Sequence, residues 1–277
     1  MFRQFVLYKD NKMSYNNEFL SMANWNVRYN FAGNINTPSE MLIFLSKDSK
    51  WKVRQAVAAN LNTPCEILKI MTKDSNRRIR QAVARNINTT SDILKLLSKD
   101  PNSLVRVLVS QNKITPNESL MLLSNDHNEY VREAVGSNIN TPNEALIILS
   151  KDDFHFVRIA VASNINTPKE ALIILSKDNS WVVRKYVGSN INTPNEVLKL
   201  LSEETEWEIR QAVAANINTS SYILTLLSED TKWEIRLAVA ANKKTPRDTL
   251  AVLAEDRILD VSQRAIKTIN ELYPNKF

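Results

Sequence analysis

A valine or isoleucine followed by arginine recurs along almost the whole chain, at Val27-Arg28, Val53-Arg54, Ile79-Arg80, Val105-Arg106, Val131-Arg132, Val157-Arg158, Val183-Arg184, Ile209-Arg210 and Ile235-Arg236. Each pair lies 26 residues after the last, without an insertion, and a degenerate tenth copy begins at Val261 with Ser262 in place of arginine. Six residues after each arginine stands an asparagine, from Asn34 and Asn60 to Asn216 and Asn242. A fixed period of this length is the signature of a repeat array, in which each unit buries its apolar side only against its neighbours.

Within one unit, Thr63-Pro64-Cys65-Glu66 reads as a capping box: threonine caps, proline takes the first helical position and glutamate reaches back. The pattern Thr-Pro-x-Glu recurs at Thr37, Thr115, Thr141, Thr167 and Thr193, while Thr89 and Thr219 lack the proline. An apolar cluster follows (Ile67, Leu68, Ile70, Met71), which predicts a first helix of about ten residues. Asp74 and its equivalents then open a second helix, with Val53, Ala56 and Val57 facing inward in the copy that starts at Trp51. Asn-Ile-Asn ends it. Neither helix is long enough to be stable alone. Stacked, they share a core, and Ala58, Ala84, Ser110, Gly136, Ala162 and Gly188 are small enough to let neighbouring helices approach closely.

The run Val-Arg-x-x-Val-Ala-x-Asn-x-x-Thr-Pro-x-Glu-x-Leu-x-x-Leu-Ser-x-Asp resembles the variant leucine-rich repeat, and its Asp-x4-Val-Arg portion, as in Asp48 to Arg54, resembles HEAT repeats. The resemblance covers about residues 20–264. It implies a right-handed α-solenoid of about ten two-helix repeats and a binding role. Asn-Ile-Asn replaces the Asn-Pro of the variant repeat, so both a 3₁₀ and a full α-helical second helix stay open. The expected organisation is a cap with a degenerate first repeat over 1–24, the solenoid over 25–260, and a capping helix with a tail over 261–277.

Composition narrows the chemistry. The chain has three glycines, Gly33, Gly136 and Gly188, so phosphate-cradling loops and dinucleotide fingerprints cannot be assembled. One cysteine, Cys65, excludes a disulfide framework and any multi-cysteine metal site. The two histidines, His127 and His155, occupy different repeat positions, which argues against a metal site or histidine-based catalysis. No catalytic, cofactor or metal site is therefore expected. No apolar run approaches the roughly 18 residues of a membrane span. Met1 to Lys12 mixes acidic and basic residues without a small-residue cleavage site, so the expected setting is cytoplasmic, away from the membrane.

The arginine ladder admits two readings: a phosphate-binding stripe, or structural pairs with the aspartate six residues earlier or its neighbour's, as the HEAT resemblance implies. The asparagines read as side-chain amides that satisfy loop backbone groups. All five tryptophans, Trp25, Trp51, Trp181, Trp207 and Trp233, share one repeat position. They either cover the end of the core or stand as a row of anchors, Trp181, Trp207 and Trp233 among them.

Specificity is sought where the repeats differ. The residue before each Val/Ile-Arg pair is polar or charged at the ends (Asn26, Lys52, Arg78, then Glu208, Glu234, Asp260) and apolar in the middle (Leu104, Tyr130, Phe156, Val182). Val107 and Ile159 lie three positions further on, and Met121, Ile147 and Ile173 break a largely polar series in the first helices. These residues form the expected partner-binding face, unless superhelical curvature buries them. Residues 203–256 carry a net charge of −4, which leaves +10 on the rest of a chain whose total is +6. Arg77, Arg78 and Arg85 make a basic knot and are the candidate nucleic-acid contacts. The expectation is a protein partner, or a second copy of the chain; nucleic-acid binding, with kinship to helical-repeat DNA glycosylases, is the alternative.

Overall fold

The structure, a computed structural model, describes residues 7–9, 12–14 and 17–274. Ahead of the repeats, Leu7–Lys9 and Lys12–Ser14 pair as a short antiparallel hairpin, followed by the helix Asn17–Met22. Every described residue after it lies in a helix or a tight connection. The chain divides into two compact units, Met1–Leu123 and Ser124–Phe277.

In the first unit the second helices are Trp25–Gly33, Trp51–Ala59, Arg77–Arg85 and Ser103–Gln111, each stacked on the next. Between them in the chain run the first helices Ser39–Leu45, Cys65–Met71, Ser91–Leu97 and Asn117–Leu123. The second unit stacks the second helices Glu129–Ser137, His155–Ser163, Trp181–Ser189, Trp207–Ala215, Trp233–Ala241 and Leu259–Leu272. Its first helices are Asn143–Leu149, Lys169–Leu175, Asn195–Leu201, Ser221–Leu227 and Arg247–Leu253. The second helices are α-helical, which closes the choice left open by the sequence.

The core lies between the two layers of each unit. A repeat contributes leucines from the first helix (Leu146 and Leu149) and valines from the second (Val157 and Val161), all without solvent exposure. Each such side chain stabilises by about 1.5–3 kcal/mol on burial. The first helix is seven residues rather than ten, and Ile70, placed in its apolar cluster, is exposed.

The capping box is not used. The extended Pro64 is the N-cap residue, and its carbonyl accepts from the Ile67 and Leu68 amides. Thr63 instead turns back, and its hydroxyl donates to the Val57 carbonyl at 2.5 Å in the preceding second helix. Thr141 and Thr193 do the same with Val135 and Val187 at 2.6 Å. The last carbonyls of a helix lack partners within it, and the buried threonine supplies one. It is a C-terminal device of one helix and not an N-terminal device of the next.

Gly136 and Gly188 meet the requirement for close approach. A Cβ at Gly136 would stand 3.2 Å from the Ala160 Cβ, and one at Gly188 would stand 3.4 Å from the Ala212 Cβ.

Candidate binding surfaces

The two polar ladders hold the stack together. Arg158 reaches forward one repeat and grips Asp178 with Nε at 2.5 Å and Nη2 at 3.1 Å, while Nη1 donates to the Asp152 carbonyl at 2.6 Å. The same fork joins Arg54 to Asp74, Arg80 to Asp100, Arg132 to Asp152, Arg210 to Asp230 and Arg236 to Asp256. Arg28 pairs with Asp48, and Arg184 takes Glu204 instead of an aspartate. The neighbour's carboxylate is thus the partner, and the aspartate six residues earlier contributes its carbonyl. Each aspartate also accepts the amide two residues on, as Asp178 does from Ser180 at 2.9 Å, which turns the chain into the second helix. Burial pushes the Asp74 carboxyl upward, but hydrogen bonds from Arg54 and the Asn76 amide outweigh it and hold it below the usual carboxylate range. A guanidinium committed to a carboxylate and a carbonyl is not offering itself to phosphate.

The asparagine ladder works across repeats as well. Asn164 Nδ2 donates to the carbonyls of Gly136 at 2.8 Å and Asn138 at 2.9 Å, and its Oδ1 accepts from the Asn166 amide at 2.9 Å. Asn166, the second asparagine of the motif, donates to the Ile139 carbonyl at 2.5 Å. Between the asparagines sits an exposed aliphatic side chain that sequence reasoning passed over: Ile35, Leu61 and Ile87 in the first unit, Ile139, Ile165, Ile191 and Ile217 in the second.

Among the candidate binding residues, Leu104 is exposed and Val107 and Met121 are half-buried in the first unit. In the second unit Tyr130 and Phe156 are 62% and 60% exposed, Ile173 is exposed, and Ile147, Ile159 and Val182 are half-buried. Curvature does not bury them. They do not form one patch, however. Tyr130, Phe156, Ile159 and Val182 belong to successive second helices, whereas Ile147 and Ile173 belong to the first-helix layer. Each layer buries the side that faces the other, so their exposed sides point away from each other.

The second-helix face holds more aromatic surface than the sequence suggested. Phe154, at the N-cap of His155–Ser163, and Tyr186, where most repeats carry alanine, are both exposed. The His155 ring lies 4.1 Å from that of Phe156, and the Arg132 guanidinium stands 5.5 Å over Phe154. Phe154 stands outside the repeated pattern, so no periodic signal marked it. Of the three tryptophans in this unit, Trp181 and Trp233 are partly exposed and Trp207 is half-buried.

The first unit carries two open grooves on its second helices. One, of about 340 Å³, brings Arg78 and Arg85 together with Gln55, Leu61 and Ile87; Arg77 does not line it. The other, of about 450 Å³, is walled by Trp25, Tyr29, Trp51, Lys52 and Gln55. Cations already cover the indoles here. Lys52 Nζ stands 5.4 Å from the Trp25 ring and 6.0 Å from Trp51, and the Arg78 guanidinium is 5.0 Å from Trp51. Among the described residues no helix is long and apolar enough to cross a membrane.

No family model matches the sequence, and no curated protein matches it. Among solved structures, a leucine-rich repeat variant with a novel repetitive structural motif is 23% identical over 80% of this chain and 88% of its own, with a TM-score of 0.58. An engineered protein aligns over 94% of this chain and 96% of its own at 15% identity, with a TM-score of 0.40. Computationally designed armadillo repeat proteins for modular peptide recognition align over 89% and 92% at 14% identity, with a TM-score of 0.20. The first shares the fold; the other two superpose too loosely to carry an argument.

Proposed function

Starting from a helical repeat fold like that of the leucine-rich repeat variant, we propose that this chain is a non-catalytic scaffold that binds a protein through the second-helix face of its central repeats. The observation that carries the reading is the exposure of Tyr130, Phe156, Phe154, Trp181 and Tyr186 on or beside three successive stacked helices of one unit. Aromatic residues are enriched where protein interfaces hold their energy, and a water-exposed cluster of them is a standing cost unless a partner covers it. A photo-crosslinking amino acid at position 156 tests this in cells of the source organism. A discrete protein adduct that disappears in the Tyr130→Ser variant is expected. Labelling no stronger than that from position 200, on the first-helix layer, overturns the reading.

A second reading is nucleic-acid binding by the first unit. The groove that joins Arg78 to Arg85 favours it. Against it, the Trp51 ring is already stacked by Arg78, and the arginine ladder is engaged within the protein. Fluorescence anisotropy with labelled oligonucleotides separates the two. Binding that weakens steeply between about 50 and 200 mM salt is the outcome that would select nucleic acid.

A further inference from the structure

Every tryptophan opens a second helix, and in the first unit its ring is covered by the second residue of the next second helix. Lys52 Nζ lies 5.4 Å from the Trp25 ring, and the Arg78 guanidinium lies 5.0 Å from Trp51. In the second unit the helices that begin at Trp181, Trp207, Trp233 and Leu259 are stacked in turn, and the same place holds Glu208, Glu234 and Asp260. Each indole of this unit is thus followed by a carboxylate where the first unit sets a cation. Among the described residues no cation stands over these three rings, and none of the three carboxylates is in an ion pair. Lys185, on the helix that begins at Trp181, and Lys232, at the N-cap of the one that begins at Trp233, leave the rings uncovered. Oε2 of Glu234 is buried without a hydrogen-bond partner, which costs free energy for as long as no donor reaches it.

We propose that Trp181 with Glu208, Trp207 with Glu234, and Trp233 with Asp260 form three successive slots, each for one arginine or lysine side chain of an extended protein segment. The proposal rests on the protein-binding reading above and names the chemistry of the partner. In each slot the ring face attracts the cation, and the carboxylate beside it pairs with the charge. Lys52 and Arg78 show that an indole at this repeat position takes either an ammonium or a guanidinium. The second unit keeps the ring and reverses the sign of its neighbour, which leaves the cation for a partner to supply.

The repeat spacing selects the segment. Stacked helices lie about 8–10 Å apart. A polyproline II segment advances about 3.1 Å per residue with three residues per turn, so every third side chain returns to the same side after about 9 Å. One repeat therefore matches three residues, and the expected pattern is a basic residue at every third position. Nearer the start of this unit the second place turns apolar, with Val182, Phe156 and Tyr130. There the same segment continues with apolar side chains.

Fluorescence anisotropy on the full chain tests the slots, with a labelled peptide of three Arg-Pro-Pro units joined to two Phe-Pro-Pro units, made in both orders. Proline presets the polyproline II form. Binding in one order, with a dissociation constant on the order of 10 μM, is expected. A peptide of the same composition with its arginines consecutive should bind about tenfold more weakly. Glu208→Gln/Glu234→Gln, with its helical circular dichroism intact, should also cost about tenfold. Glu208→Arg/Glu234→Lys writes the pattern of the first unit into the second and should abolish binding, because the protein's own cations then fill the slots. Should either double variant lose its helical circular dichroism, Trp181→Leu, at an exposed ring, takes its place with a loss of about tenfold. No binding in either order, equal binding of the consecutive-arginine peptide, or indifference to the variants overturns the proposal. The position-156 crosslink separates this from failure of the binding face. A protein adduct that persists in Glu208→Gln/Glu234→Gln overturns the slots and leaves the face standing, whereas the absence of any adduct in the wild type removes both.

Discussion

Replacing Asn164 removes three hydrogen bonds at one stroke, and the cost follows from where they go. Its side chain is buried, and it serves the Gly136 and Asn138 carbonyls of the preceding repeat and the Asn166 amide of its own. Gly136 lies in the last turn of Glu129–Ser137, where a carbonyl has no partner within its helix. In Asn164→Ala the Gly136 carbonyl and the Asn166 amide are stranded, while the Asn138 carbonyl keeps the Thr141 amide at 3.1 Å. A buried group left unsatisfied costs about 1–3 kcal/mol. With some relief from water at the repeat edge, we expect a loss of about 3–5 kcal/mol, a large part of the roughly 5–15 kcal/mol of a typical domain. Asn164→Asp sharpens the test. It keeps the acceptor for Asn166 but turns an oxygen toward two carbonyls, so at neutral pH it should destabilise at least as much as alanine. Asn166→Ala, whose side chain is exposed and makes one bond to Ile139, should cost about 1 kcal/mol or less. Urea titration followed by circular dichroism gives the differences, and amide hydrogen exchange should place the loosening at Ile139 and its neighbours. A loss under about 1 kcal/mol in Asn164→Ala, or one no larger than in Asn166→Ala, would refute the account of the ladder as the inter-repeat fastener.

Other perturbations probe the rest of the frame. Arg158→Lys retains the charge but cannot hold both Asp178 oxygens and the Asp152 carbonyl, so urea titration should register a loss of about 2 kcal/mol; a neutral result would mean the fork geometry is idle. Asp48, Asp74, Asp230 and Asp256 all titrate below the ordinary carboxylate value when folded. Because the folded value is the lower one, their contribution is complete above an unfolded pKa of about 3.9 and is lost as pH falls through the folded value. The urea midpoint should therefore drop steeply below about pH 4, and Asp256→Asn should shallow that drop while lowering the plateau. Gly188→Ala should stabilise by about 0.5–1 kcal/mol, since its Cβ finds ordinary contact distances, whereas Gly136→Ala, whose Cβ would press on Ala160, should gain nothing or lose. Thermal unfolding of the two variants side by side measures the contrast.

The repeat period, the pairing of layers and both ladders were legible because each is written many times over. One copy of a Val/Ile-Arg pair, or of the asparagine six residues after it, says little, but nine in register leave few folds that place them equivalently. The direction of the arginine pairing was only half legible, since the aspartates on either side stand at fixed distances in the sequence and only the stacked helices bring one carboxylate within reach. Thr63 was misread for a related reason. A threonine before a proline fits an N-cap by local chemistry, yet its hydroxyl finds the Val57 carbonyl, a partner supplied by the turn between helices.

The binding face divides in the same way. The sequence determined which repeats carry apolar residues in place of charge, because that is a comparison between copies and needs no coordinates. It also determined the inversion of charge from Lys52 and Arg78 to Glu208 and Glu234. Only the tertiary structure decided that Tyr130 and Phe156 are exposed, that the exposed sides of the first helices carrying Ile147 and Ile173 point away from them, and that Phe154 and Tyr186 join the aromatic cluster. The physical reason is that periodicity fixes a residue's place within its helix. Its exposure depends on what the neighbouring repeats lay against it, and that is settled only when the helices stack.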